Sequence, residues 1–161
     1  MRCIDCGLSM RPSKESFRYE PVAGLRVTLI GLTSYRDDNG HVAREIPALA
    51  GLHRALAGAV VRKRSRLAPA EIRYLRKSLG WSGRDFASYL GVTPESVSRW
   101  ENGHDEMGPQ ADRLLRLMAV NQQPIEDYAL EILKGIGRRT TGPIRVGFEL
   151  KGKAWAMAKA A

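Results

Sequence analysis

Two sets of residues in this chain have types and spacing suited to chemistry. The first is Cys3-Ile4-Asp5-Cys6, which holds the only two cysteines. This spacing lets two sulfurs meet one metal ion or close a redox pair. In a reducing compartment such a pair is a metal or redox element rather than a structural staple. No βαβ pattern surrounds it, which speaks against a thioredoxin-like role. The second set is a run of polar residues threaded through an apolar and glycine-punctuated stretch, Ser82 to Gly103. Its Arg99 carries a guanidinium fork that matches the O6 and N7 acceptors of guanine, worth about 1–3 kcal/mol of discrimination. A phosphate contact and a solvated surface arginine are the other readings of that residue. The histidines, His41, His53 and His104, stand far apart. No nucleophile–base set and no phosphate-binding glycine loop accompanies them, so no enzyme is expected.

Composition narrows the partners. The chain has 161 residues, 43% hydrophobic and 27% charged, the balance of a soluble globular protein. Its formal net charge of +9 makes a polyanion the first partner to consider, whether nucleic acid or an anionic membrane surface. No apolar run approaches the ~20 residues that span a bilayer. The start, Met1 to Cys6, lacks the apolar stretch of a secretory signal. A cytoplasmic protein without a membrane partner is expected.

The elements that must position these residues fall into an α+β pattern. Residues 1–47 read as a small β ribbon-like domain. Strand-like segments run over Leu25–Ile30 and His41–Ile46, with a turn at Asp37-Asp38-Asn39-Gly40. Residues 48–66 form a helical linker, with Leu49, Leu52, Leu56 and Val60 on one face. It ends in Arg62-Lys63-Arg64-Ser65-Arg66, either a flexible linker or a supply of phosphate contacts. Residues 67–136 read as a central domain of five helices. The first opens at Pro69 and closes at Gly80. Ser82 caps the second, which ends at Gly91. Thr93 caps the third, with Pro94 at its first position and Glu95 at its positive end. The fourth starts at Gly108-Pro109, with Ala111, Leu114, Leu115 and Met118 inward. The fifth, Ile125 to Ile136, has an apolar face without an obvious cover and is the expected dimer element. Residues 137–161 form a tail with a short C-terminal β hairpin around Lys151-Gly152.

Within the central block each part has a physical task. Ala87 is small where two helices cross, and Gly91 permits a left-handed turn between them. Val92, Val97 and Trp100 point to the core, which leaves Glu95, Ser96, Ser98 and Arg99 outward on a short helix after a sharp turn. That is the geometry of a recognition helix. The series Leu90-Gly91-Val92-Thr93 with Val97-Ser98-Arg99-Trp100-Glu101-Asn102-Gly103 resembles the lambda-repressor-like helix-turn-helix family, often called the Xre family. The resemblance covers about residues 71–120. It implies that Glu95, Ser96 and Arg99 reach base edges, and that Ser82, Thr93 and Asn102 contact phosphates. The glutamine that commonly opens the second helix is Gly83 here, with Arg84 as its substitute. It also implies an Arg76–Glu101 ion pair bracing the first helix against the third.

The whole chain is similar to the antitoxin group typified by MqsA, which joins a four-cysteine zinc ribbon to an Xre domain. The matching features are Cys3-Ile4-Asp5-Cys6-Gly7, the strand from Val27 to Tyr35, and Ile46-Pro47-Ala48-Leu49 leading into a helix. The chain departs from that pattern where the second C-x-x-C falls, at Arg36 and Asn39. Four ligands are needed for structural zinc. Cys3 and Cys6 supply two and His41 a third, while Arg36 repels a cation. The cofactor is therefore none, or zinc in an incomplete site. One metal shared by two chains is a variant. The resemblance implies a homodimeric repressor on a palindromic double-stranded DNA operator, autoregulating its own operon, with a cognate toxin as second partner. The alternatives are a phage or mobile-element autorepressor without a toxin, or a protein-interaction module that has lost DNA binding.

Overall fold

Apolar residues alternate along Leu25–Arg36 and then change phase. Leu25, Val27 and Leu29 are buried, and after Gly31 the buried positions become Leu32 and Ser34. Gly31 has φ +71°, a conformation costly for any residue with a Cβ, and the extra residue re-aims the strand as a β-bulge does. This strand organises the sheet in the computed structural model of the chain, which describes residues 1–122, 140 and 142–158. Two units are present. One comprises Met1–Tyr19, Val27–Leu52 and Val146–Ala161, the other Glu20–Arg26 and His53–Arg145.

The sheet has five strands, β1 (Arg11–Val22), β2 (Leu25–Arg36), β3 (Val42–Arg44), β4 (Gly147–Lys151) and β5 (Ala154–Met157), in the order β1-β2-β4-β5 with β3 also on β2. β3 runs antiparallel to β2, with Tyr35 opposite Ala43. β4 runs parallel to β2, with Leu29 opposite Phe148, and β5 returns antiparallel, with Leu150 opposite Trp155. Buried Val27, Leu29, Leu32, Phe148 and Trp155 supply apolar side chains to this unit. The Trp155 indole N–H donates to the Pro47 carbonyl at 2.8 Å, satisfying its polar atom.

The C-terminal hairpin forms as expected. It is not a free-standing tail, because residues from Val146 onward complete the N-terminal sheet. β1 was not legible: Arg11–Val22 is mostly polar and holds Pro12 and Pro21. Among the described residues it pairs on one side only, where proline is tolerated.

The second unit carries five helices among the described residues, counting α1 (Leu49–Val61), whose first turn belongs to the first unit. The others are α2 (Pro69–Ser78), α3 (Gly83–Leu90), α4 (Pro94–Glu101) and α5 (Pro109–Gln122). Leu56, Val60, Ile72, Leu75, Phe86, Val97 and Leu115 are its buried apolar residues. Leu114, expected inward, is 39% exposed. The expected helix Ile125–Ile136 lies outside the described residues.

The basic segment after α1 is held in place. Arg116, fully buried, donates to the carbonyls of Val61 (2.9 Å), Lys63 (2.5 Å) and Ser65 (2.8 Å). Asp112 pairs with Arg116 at 2.6 Å and accepts the Leu67 N–H at 2.7 Å. Lys63 turns inward to Glu71 at 2.8 Å, and Glu71 also accepts the Ala68 and Ile144 N–H groups at 2.6 and 2.7 Å. Lys63 and Arg66, which pairs with Glu106 at 3.2 Å, are used internally.

Candidate functional site: a helix-turn-helix face and a metal-donor cluster

α3 begins on a reciprocal cap. Ser82 Oγ accepts the Asp85 N–H at 3.1 Å, and Asp85 Oδ2 accepts the Ser82 N–H at 2.8 Å. These bonds satisfy two N–H groups that a helix start leaves open. The Asp85 carboxyl is held below its ordinary pKa by the Ser82 hydroxyl first and by the Ser82 backbone N–H second. α3 stops at Gly91, whose φ of +66° and ψ of +35° make the left-handed turn. The Val92 N–H returns to the Ala87 carbonyl at 3.0 Å, and buried Ala87 leaves room for the following segment. Thr93 Oγ1 then accepts the Ser96 N–H at 3.2 Å and caps α4. Both caps and both helix starts stand where the sequence predicts them.

α4 is braced from behind. Glu101 is nearly buried and takes two bonds from Arg76, Nε at 2.6 Å and Nη2 at 2.9 Å. Bidentate pairing of this kind fixes orientation as well as distance. The same bond, chiefly, raises the pKa of Arg76 further above its ordinary value. Arg73 donates to the Glu101 carbonyl at 2.7 Å and to Asn102 Oδ1 at 3.0 Å. Val97 is buried, while Trp100, expected in the core, is only half-buried.

The sequence-predicted residues gather on α3, α4 and the turns beside them. Ser82, Arg84, Thr93, Glu95, Ser98, Arg99 and Asn102 are exposed, and Ser96 is half-buried. The Ser82 and Thr93 oxygens serve as caps, and Thr93 Oγ1 also lies 3.1 Å from Ser96 Oγ. Asn102 is engaged within the fold, its Nδ2 donating to the Ser98 carbonyl at 2.9 Å. Arg99 is also engaged: its Nε and Nη2 donate to the two Asp105 carboxylate oxygens at 2.5 and 3.1 Å. Nothing in the sequence pattern singled out Asp105.

A second cluster lies in the sheet unit. Cys3, Cys6, Asp37 and His41 place one donor atom each within 4.8 Å of one another. Cys3 and Cys6 Sγ each lie 3.5 Å from His41 Nδ1. The Cys6 thiol donates to Asp37 Oδ2 at 3.0 Å, and His41 Nδ1 lies 2.8 Å from the same oxygen. The Cys6 bond is the largest cause holding the Asp37 carboxyl far below the usual carboxylate range, and it raises the Cys6 thiol in turn. Zinc–sulfur and zinc–nitrogen bonds of about 2.3 and 2.0 Å give tetrahedron edges of roughly 3.4–3.8 Å. The two cysteine–histidine separations fall in that range, the two to Asp37 Oδ2 are shorter, and the donor types suit zinc. Asp37 Oδ1 is already oriented by the Asn39 and His41 N–H groups at 3.0 and 2.9 Å. The cluster can hold a metal ion with four donors, one more than the sequence offered. Asp37 was hidden because the run Asp37-Asp38-Asn39-Gly40 reads as a turn, which it also is.

No helix among the described residues is long and apolar enough to cross a membrane. No curated protein matches the chain. Residues 72–127 match a helix-turn-helix family model, and this stretch is similar to the Xre-like helix-turn-helix domains of DNA-binding transcription regulators.

Proposed function

We propose that the chain is a sequence-specific DNA-binding repressor whose α4 enters the major groove. The observation that carries this reading is the exposed polar face of α4, set at a fixed angle by Gly91, two capped helix starts and the Arg76–Glu101 brace. Glu95, Ser96 and Arg99 read base edges, with Ser98 beside them. Ser82, Arg84, Thr93 and Asn102 contact phosphates and set the register. The protein is a cytoplasmic homodimer on a palindromic operator, its half-sites one helical turn or roughly 34 Å apart. The operator is that of its own operon, and repression follows from blocking polymerase without catalysis.

Residues 67–136 act as the DNA-binding domain, and the sheet unit holds zinc at Cys3, Cys6, Asp37 and His41. A site with four protein donors is closed and structural: the metal cross-links the two turns that carry its ligands. The four-donor cluster supports the antitoxin reading, in which a ribbon of this kind binds a cognate toxin.

The test is binding of the wild type and Arg99→Ala to the DNA upstream of this protein's own gene, at two salt concentrations. Arg99→Ala is expected to weaken binding to that DNA by about 1–3 kcal/mol and to random DNA far less. Equal, weak binding of both proteins to every sequence would overturn the reading and leave an interaction module.

A further inference from the structure

Asp105 lies against the residue assigned to base reading, and DNA reading as stated above gives it no role. After α4 the chain folds back, with the N–H groups of His104 and Asp105 donating to the Arg99 carbonyl at 2.9 and 3.3 Å. This return brings the Asp105 carboxylate alongside the Arg99 guanidinium, in the two bonds of 2.5 and 3.1 Å. Paired parallel bonds fix the plane of a guanidinium as well as its place. The side chains are 57% and 48% exposed. An ion pair so exposed contributes little to stability, so holding the fold together does not account for it.

Its effect is orientation. The carboxylate occupies the Nε–Nη2 edge of Arg99. The remaining N–H groups, on Nη1 and the far side of Nη2, form the end of the fork. Two N–H groups side by side are what the guanine O6 and N7 acceptors require. A long arginine side chain loses rotamer freedom on docking, and a side chain already held loses less.

We propose that Asp105 is a specificity-determining positioning residue: it holds Arg99 so that the free end of its guanidinium meets guanine. The proposal rests on Arg99 as a base reader. The carboxylate acts in a second way as well. Its charge opposes nearby phosphates, which weakens binding wherever Arg99 finds no guanine. Asp105 thus raises discrimination and lowers affinity for random DNA.

The experiment is selection of duplexes from a randomised pool by the full chain, followed by competition binding of the enriched sequence and its single-base variants. Wild type is expected to enrich guanine at one position of each half-site, and Arg99→Ala to lose that preference. Asp105→Asn is expected to select the same motif elsewhere but to prefer guanine there roughly 3- to 10-fold less. It should bind random DNA at least as tightly as wild type, and Asp105→Glu should regain part of the preference. An unchanged guanine preference in Asp105→Asn overturns the proposal. A stronger preference overturns it too, because Asp105 is then a competitor for Arg99. If wild type enriches no sequence, base reading itself fails and the proposal falls with it, a result distinct from a motif shared by wild type and Asp105→Asn.

Discussion

Replacing Glu101 by alanine tests whether the brace behind α4 sets the domain's stability. The Glu101 side chain is 8% exposed and that of Arg76 12% exposed, so the pair is largely withdrawn from water. Two bonds, at 2.6 and 2.9 Å, join them. Without the carboxylate, Arg76 keeps its bond to the Trp81 carbonyl at 2.7 Å, and the rest of its charge lies without a partner among the described residues. Removing one member of a fully buried pair costs about 3–5 kcal/mol. The remaining water access of Arg76 lowers the expected cost to about 2–4 kcal/mol, a large part of the ~5–15 kcal/mol that stabilises a domain. Urea unfolding followed by tryptophan fluorescence reads the change as a lower midpoint at unchanged slope. The double variant Arg76→Met with Glu101→Leu removes the orphaned Arg76 charge, while Arg73 loses a 3.6 Å contact with Glu101 but keeps its bonds to the Glu101 carbonyl and Asn102, so most of the loss should be recovered. A cost below about 1 kcal/mol for Glu101→Ala, or a double variant as unstable as the sum of the singles, would refute the reasoning.

Two further outcomes are expected. Protein purified without chelators should carry about one zinc per chain by elemental analysis. Cys6→Ser and Asp37→Ala should both lower that content, while Asp38→Ala, on the exposed neighbour, should not. Zinc retained in Asp37→Ala would remove the aspartate from the ligand set. The second outcome concerns His53, whose ring stacks on Tyr74 at 6.0 Å and whose pKa burial pushes below the ordinary 6.5. Between that lowered value and 6.5 the unfolded chain binds more protons than the folded one. Stability is therefore full above 6.5 and declines as pH falls through this window. The melting temperature measured from about pH 7.5 to about pH 5 should slope less in His53→Gln than in wild type, and equal slopes would count against it.

The parts of the fold legible from sequence are those whose physics is local. Ser82, Thr93 followed by Pro94, and Gly91 between them each act on residues within one helical turn. A cap or a left-handed glycine leaves its mark in three or four consecutive letters. The strand Leu25–Arg36 was readable for the same reason up to Ile30. There Gly31 shifts the phase, and a strict period of two loses the remainder. β1 shows the opposite case. Its pairing with β2 is what makes it a strand, and a polar sequence with two prolines gives no local sign of a partner.

The functional residues divide along the same line. Arg99 announces itself through the turn that precedes it, yet its partner Asp105 lies six residues on, past the end of α4. The donor cluster depends on two turns, one around Cys3 and Cys6 and one around Asp37 and His41, which the sheet unit brings together across more than thirty residues. Compared with a four-cysteine pattern, Arg36 and Asn39 look like losses. In three dimensions the turn they flank offers a carboxylate and an imidazole instead, and zinc accepts both. Arg36 is exposed, and Asp37 is the buried neighbour. A metal site constrains where donor atoms converge rather than which letter carries them, so four donors can meet here without a second cysteine pair.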